Sequence, residues 1–320
     1  MGAQSDITRA AVDLGEWAYD RGEFVSATAP RLPLSTQGLH YGTGAFEGIR
    51  AHRSERGLFL FRARDHYARM LRACRILRIT GVPDKAEDLI DLTTELLRRN
   101  GHQGDTYIRP LVHKLALMPQ TPPGVSLAGV TDALSITTFG FPVSETRRGI
   151  RCMISSWRRP PRDALPAQVK LAGGYVTCAL AGDEARAAGF DDALLLDQAG
   201  NVAEATTANV FAVFNGRIVT PPDTGDLLPG ITRDTLLTLC QEAGLEVLER
   251  TLSPADLFTA DEIFLSSTGN GVVSVVSVSG RDIGSGTVGP VATRAAALYD
   301  AAKRSPDGGH PEWLTHVTAG

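Results

Sequence analysis

Residues 167–175 read Ala167-Gln168-Val169-Lys170-Leu171-Ala172-Gly173-Gly174-Tyr175, and the rest of the chain is organised around the lysine among them. The chain has only four lysines, Lys85, Lys114, Lys170 and Lys303, and arginine supplies the other cationic side chains. Lys170 has no charged neighbour for several positions on either side, so surface solvation does not account for it. An ammonium set among small and apolar residues is costly to keep charged. Its pKa falls, and the amine becomes a usable nucleophile or base. That is the form an enzyme needs for an imine with a carbonyl cofactor. The paired glycines would let backbone come close to a flat ligand. On these nine residues alone, an ordinary lysine at a helix start stays open as the alternative.

The 320 residues suffice for two domains of ordinary size or one large one. A hydrophobic content of 43% with 21% charged residues is that of a globular protein with a sizeable core. A net charge of −4 with scattered arginines gives no reason to expect a nucleic acid partner. Cys74, Cys152, Cys178 and Cys240 lie far apart with no metal-ligand spacing, which argues against a disulfide framework or a zinc site. They read as small buried hydrophobes in a reducing compartment. The N-terminus has no apolar signal core and no apolar run is long enough to span a bilayer. A cytoplasmic protein is the expectation.

On the N-terminal side, Trp17 to Val25 looks strand-like. Leu39–Arg50 (LHYGTGAFEGIR) packs three glycines around Tyr41, Phe46 and Arg50, which suits a turn about a ligand or a plain glycine-rich connection. Gly57–Phe61 reads as a strand, and Asp65–Thr80 as a helix with Tyr67, Met70, Leu71, Cys74 and Leu77 at helical spacing. Arg69 lies beside that apolar stripe, placed to reach inward to an anion or out to water. A second amphipathic helix spans Lys85–Arg99. Asp105–Lys114 alternates, with Tyr107, Arg109, Leu111 and His113 on one face. An arginine fork beside a tyrosine hydroxyl makes a good carboxylate receptor. Ala133–Thr138 is a further strand, and the boundary between domains is placed near residue 143.

Beyond it, strand Arg151–Ser156 and a proline-rich loop lead to Lys170, and helix Tyr175–Ala188 follows. Asp192–Asp197 and Val202–Phe214 read as strands, the latter ending at the hairpin turn Asn215-Gly216. Within it Glu204-Ala205-Thr206-Thr207-Ala208-Asn209 sets a carboxylate and hydroxyls in apolar surroundings. Pro229-Gly230-Ile231-Thr232-Arg233-Asp234 precedes helix Thr235–Ala243, and free N–H groups at a helix start form an anion site. Strand Glu262–Ser267 ends in Ser266-Ser267-Thr268-Gly269-Asn270-Gly271, where backbone amides suit a phosphate or carboxylate. Pro290–Lys303 closes the chain as a helix, and the last fifteen or so residues read as a loose tail.

A lone lysine, a later carboxylate, an arginine and two glycine–hydroxyl turns together meet the demands of pyridoxal 5′-phosphate: a lysine for the aldehyde, an acid for the pyridine nitrogen, and donors for the phosphate. In this order, HYGTGAFEGIR (His40–Arg50), YIRPL (Tyr107–Leu111), SSW (Ser155–Trp157), Lys170 with its glycines and tyrosine, the Glu204 segment, PGITRD (Pro229–Asp234) and the Ser267-Thr268 turn closely resemble the fold-type IV (class IV) pyridoxal-phosphate aminotransferases, and within them the branched-chain amino acid aminotransferases. The resemblance covers roughly residues 15–300. It implies an α/β fold of two domains, a small N-terminal one (1–143) and a larger C-terminal one (144–320) that binds the cofactor. It also implies transamination of branched-chain or other hydrophobic L-amino acids with 2-oxoglutarate.

By that resemblance Lys170 would hold the internal aldimine and then move a proton between Cα and C4′. Glu204 would pair with the pyridine nitrogen, and Tyr175 would bond the 3-hydroxyl. Arg69, Ile231, Thr232 and Thr268, with Ser267 and Thr207 nearby, would hold the phosphate, and Asn209 would support the ring. Tyr41, Phe46 and Gly48 would line the substrate pocket, Tyr107 and Arg109 would take the distal carboxylate, and the amides of Gly269 and Asn270 the α-carboxylate. A homodimer or larger assembly is implied, because pockets of this family borrow loop residues from a second subunit.

The chain departs from the family in several places. Gly269–Ser274 lacks the usual Glu and Ile-Thr-Pro, Leu115–Thr121 lacks the glycine-rich loop, and Phe141–Arg148 lacks a tyrosine near the side-chain pocket. Lys170 is followed by Leu-Ala-Gly-Gly in place of Ala-Gly-Gly-Asn. These changes bear on the side-chain pocket rather than on cofactor chemistry. A D-amino acid or (R)-amine aminotransferase, an aminodeoxychorismate-lyase-like enzyme, and a non-enzymatic binding protein are the competing readings. Tyr107 with Arg109 argues against the first, and Lys170 with Glu204 against the last.

Overall fold

The computed structural model describes residues 14–117, 124–140 and 149–317. The boundary expected near residue 143, the loop Pro119–Pro123 and the departures within 118–123 and 141–148 lie outside the described residues.

The first body is a mixed layer of strands and helices. Trp17–Asp20 (β1) and Glu23–Ser26 (β2) form a hairpin, followed by a short helix Gln37–Tyr41 (α1) and strands Gly44–Phe46 (β3), Ile49–Ser54 (β4) and Gly57–Phe61 (β5). Helices Ala63–Leu77 (α2) and Ala86–Asn100 (α3) follow, then the long antiparallel pair Thr106–Leu117 (β6) and Val130–Gly140 (β7). The alternation read in β6 holds: Ile108 and Val112 are fully buried against α2 and α3, whereas Tyr107, Arg109 and Leu111 point the other way. α2 and α3 present Tyr67, Met70, Cys74, Leu89, Leu96 and Leu97 to this core at three- and four-residue spacing.

The second body holds Ile150–Arg158 (β8), Tyr175–Ala187 (α4), Asp192–Leu196 (β9), Val202–Ala205 (β10), Asn209–Phe214 (β11) and Arg217–Thr220 (β12). Ile231–Glu242 (α5), Val247–Glu249 (β13), Pro254–Thr259 (α6), Glu262–Ser267 (β14), Gly271–Val278 (β15), Arg281–Asp282 (β16) and Pro290–Arg304 (α7) complete it. The sheet runs β10-β9-β8-β15-β14-β11-β12-β13, and β10 also pairs with β11, so six strands close on themselves. Asn215 and Gly216 both take positive φ, 49° and 78°, which makes the tight hairpin turn expected of that pair.

Three sequence expectations change. The strand read through Val202–Phe214 breaks at Thr206-Thr207-Ala208 into a β10–β11 hairpin that opposes Glu204 to Asn209. The helix expected from Thr235 begins at Ile231, and the Thr235 hydroxyl serves inside it, donating to the Ile231 carbonyl at 2.8 Å. The C-terminal stretch is not a loose tail. Pro311–Trp313 makes a 3-10 turn, and Leu314–Val317 (β17) pairs antiparallel with β5 at the edge of the first sheet. β17 thus belongs to the first body rather than the second. Hydrophobic side chains Trp313 and Val317 supply the reason, packing on Phe61 and the first core.

Candidate active site

The two bodies meet over a cavity of about 410 Å³. Lys170 enters it from the segment between β8 and α4, where its carbonyl accepts from Phe46 N at 3.1 Å and Leu171 bridges to Ala45. The lysine is therefore tied to β3 of the first body by backbone bonds. Its Nζ donates to the Tyr175 hydroxyl and lies 4.9 Å from the centre of the Phe46 ring. Burial, seconded by the positive charge of Arg69, lowers the Lys170 pKa to about 8. The depression expected of an amine in apolar surroundings is present. Gly173 packs against the backbone of Gly42, where a Cβ would come within 2.8 Å of Gly173 Cα, and Gly174 lines the cavity. One of the paired glycines thus serves a backbone contact.

Glu204 of β10 stands in one wall, 6% exposed. Burial raises its pKa, and the nearby positive charge of Arg159 opposes that shift. Arg159 Nε lies 2.9 Å from Oε1, and Leu228 N donates to Oε2 at 3.2 Å. Asn209 lines the cavity beside the α5 start: its Nδ2 donates to the Leu228 carbonyl at 2.9 Å, and its Oδ1 lies where a Cβ on Gly230 would clash at 2.0 Å. Asn209 thereby pins the loop that starts α5. No side chain caps the α5 start at Gly230 among the described residues, so the first-turn N–H groups of Ile231 and Thr232 are presented at the cavity.

Arg69 of α2 reaches inward, 3% exposed. Its Nη1 donates to the Pro229 carbonyl at 2.8 Å, and its Nε and Nη2 bind the two oxygens of Glu47 at 2.7 and 2.8 Å. His66 Nδ1 adds a bond to Glu47 at 2.8 Å. Burial works against ionisation of Glu47, yet Arg69 and His66 hold its pKa far below the usual carboxylate range.

On the opposite side Arg109 donates from Nη2 to the Tyr107 hydroxyl at 2.8 Å and stacks 4.7 Å from the Phe46 centroid. Gly48 makes this possible, because a Cβ there would sit 2.0 Å from that hydroxyl. In the turn after β14, Arg50 Nη1 donates to the Gly269 carbonyl at 3.0 Å, and Asn270 N donates to Ser267 Oγ at 3.2 Å. Thr207, Ser267 and Thr268 also line the cavity.

Every residue read from the sequence as a site residue lines this cavity except Tyr41. Tyr41 ends α1, half exposed beside His40, and the left-handed Gly42 that follows (φ 67°) turns the chain away from it. Sequence reasoning missed Glu47 and Arg159. Glu47 stands inside the quoted GAFEGIR segment, and Arg159 in a loop that reads only as polar and proline-rich. Their partners are 22 and 45 residues away in sequence, Arg69 and Glu204, so local pattern carries no sign of them.

Residues 44–278 match the family model for amino-transferase class IV. The chain belongs to the class IV aminotransferases, whose cofactor is pyridoxal 5′-phosphate. It is 37% identical to a probable branched-chain-amino-acid aminotransferase of Aquifex aeolicus over 94% of this chain and 97% of that one. It is 35% identical to the branched-chain-amino-acid aminotransferase of Escherichia coli K12 over 87% and 90%. Among solved structures, the T.th. branched-chain amino acid aminotransferase complexed with N-(5′-phosphopyridoxyl)-L-glutamate superposes with a TM-score of 0.90 at 34% identity, covering 95% of this chain and 99% of that one. The branched-chain aminotransferase of Thermoproteus uzoniensis with norvaline gives 0.89 at 31%, covering 95% and 100%.

The residues present fit the cofactor. An amine of depressed pKa, a buried carboxylate, a tyrosine hydroxyl and a helix start beside an arginine face one space. Ser266 Oγ and Arg109 Nε are buried without a partner among the described residues, on side chains that line it. No described helix is long and apolar enough to cross a membrane.

Proposed function

We propose that the protein transfers the amino group between a branched-chain or other hydrophobic L-amino acid and 2-oxoglutarate, using pyridoxal 5′-phosphate. The observation that carries this is Lys170, its pKa lowered to about 8, lining one cavity with Glu204 and the start of α5. The cofactor supplies an aldehyde that condenses with amines and a ring that takes up the electron pair released at Cα. Lys170 Nζ would hold the cofactor's aldehyde and, when free, would accept and return the proton at the substrate Cα. Glu204, oriented by Arg159 and Leu228 N, would keep a proton on the pyridine nitrogen. Tyr175 Oη, which accepts from Lys170 Nζ, would bond the ring hydroxyl. Arg69 with the N–H groups of Ile231 and Thr232 holds the phosphate, helped by Thr268, Ser267 and Thr207, and Asn209 keeps the α5 start in place.

Phe46 and Gly48 bound the substrate space, and Tyr107 with Arg109 receives the distal carboxylate of glutamate and 2-oxoglutarate. Gly269 and Asn270 amides take the α-carboxylate, which requires Asn270 N to exchange its bond to Ser267 Oγ. We also assign a smaller domain 1–143 and a larger one 144–320, with β17 of the larger pairing back onto β5 of the smaller. A homodimer or larger assembly in the cytoplasm completes the proposal. Leu34, Leu39 and Tyr41 are 87%, 67% and 50% exposed on the segment through α1, an apolar face that a second copy would cover.

Borohydride reduction of the protein with pyridoxal 5′-phosphate, followed by digestion and mass mapping, tests the core of this. A pyridoxyl group on Lys170 is the expected result, and a tag elsewhere or none overturns it. A donor panel of L-Leu, L-Ile, L-Val, L-Phe, D-Ala and (R)-1-phenylethylamine with 2-oxoglutarate then fixes the substrate, with the L-aliphatic donors expected to dominate.

A further inference from the structure

Arg62 stands just before α2 with a left-handed backbone, φ 51° and ψ 35°. A residue with a Cβ adopts that conformation at a cost in free energy, so its surroundings must hold it there. Three sets of contacts do. Its backbone N donates to the Trp313 carbonyl at 2.6 Å, and its guanidinium lies 5.1 Å from the centre of the Trp313 ring. Its Nε binds Asp65 at 2.6 Å. Its Nη1 turns to the first turn of α5, where it meets Asp234 Oδ2 at 2.6 Å, Thr235 Oγ1 at 3.0 Å and the Ile231 carbonyl at 3.4 Å.

Arg62 therefore grips from outside the same turn whose N–H groups face the cavity. Seven residues further, two turns along the same face of α2, Arg69 grips the Pro229 carbonyl just ahead of that turn. The C-terminal stretch that seats Arg62 also holds the far end of α5. His310 stacks on Trp313 with centroids 3.7 Å apart and bonds Glu242 at 3.0 Å. β17 then fixes this stretch to β5.

We propose that Arg62, seated by the C-terminal segment Pro311–Val317, is a positioning residue for the phosphate end of the cofactor site. The hold is on the orientation of the α5 start, so it acts on the phosphate and leaves the aldehyde end alone. The inference rests on the function proposed above. The C-terminal strand is on this view part of the cofactor site, although none of it lines the cavity.

The test is a visible-absorbance titration of apoenzyme with pyridoxal 5′-phosphate and, separately, with pyridoxal, which lacks the phosphate. For Arg62→Ala the dissociation constant for the phosphorylated ligand should rise about 10- to 100-fold, the range met when a residue supporting a binding group is lost. That for pyridoxal should change less than about threefold. Arg62→Lys should fall between wild type and Arg62→Ala. Trp313→Ala should shift the same way, and the double variant Arg62→Ala/Trp313→Ala should be no weaker than Arg62→Ala within about threefold, because Trp313 acts through Arg62. Equal losses for both ligands, or no loss for the phosphorylated one, overturn the inference. If Arg62→Ala does not fold, Arg62→Lys and Trp313→Ala decide on the same criterion. Wild-type protein that takes up neither ligand would instead sink the proposed function, and the inference with it.

Discussion

Lys170 is an amine that must lose a proton before it can attack an aldehyde, so its chemistry is legible in pH. Burial disfavours the ammonium and brings the pKa from 10.5 to about 8. The rate of cofactor uptake by apoenzyme should accordingly rise through pH 8 and level off above it. Stopped-flow absorbance checks this, and a rise centred near 10.5 would mean an unperturbed lysine. Arg109 should govern one substrate class. Arg109→Ala is expected to weaken 2-oxoglutarate by about 2–5 kcal/mol relative to a monocarboxylic 2-oxo acid, because a carboxylate taken out of water loses its charged partner. Comparison of kcat/KM for the two acceptors measures it, and equal losses would remove Arg109 from that role. Gly48→Ala should reproduce a milder form of the same defect. The new methyl would meet the Tyr107 hydroxyl at 2.0 Å and displace the group that binds Arg109. Cofactor affinity should stay unchanged in that variant, as read by the same absorbance titration.

At the level of the element, the helices and strands that carry the site follow from periodicity, and their partners do not. α2 is readable as a helix from its apolar stripe, and Arg69 as a residue beside that stripe. That Arg69 is held by a fully buried Glu47 on the connection before β4 is not readable, because the two meet only when α2 packs on the first sheet. Glu47→Ala leaves a buried arginine without its counter-charge and should cost about 3–5 kcal/mol of stability. Urea denaturation of the apoenzyme measures this directly. α5 gives the same lesson at its boundary. The sequence places the helix start at Thr235, but Pro229-Gly230 ends the preceding loop earlier and the helix starts at Ile231, placing its N–H groups at the cavity.

On the scale of the whole molecule, two features depend on distant parts of the chain meeting. One is the return of β17 to the first sheet, which ties residues 314–317 to β5 more than 250 positions earlier. The other is the apolar face through Leu34, Leu39 and Tyr41, which a single copy leaves in water. Leu34→Asp with Leu39→Asp should shift the protein from dimer or larger to monomer in analytical ultracentrifugation. Activity should fall with it if a second copy completes the pocket. A wild-type monomer would overturn that part of the proposal.

The order of chemical groups along the chain, together with the family resemblance it carries, is enough to name the cofactor and to propose the lysine, the acid and the anion-binding turns, whereas each motif alone leaves a structural alternative open. Which oxygen each donor meets is settled only by folding. Arg159 on Glu204, Glu47 on Arg69 and Asn209 on the Leu228 carbonyl each join separate elements of one body, and Arg62 between Trp313 and α5 joins the two bodies. Periodicity and turn propensity act over a few residues, whereas these contacts are chosen by how two packed layers face each other.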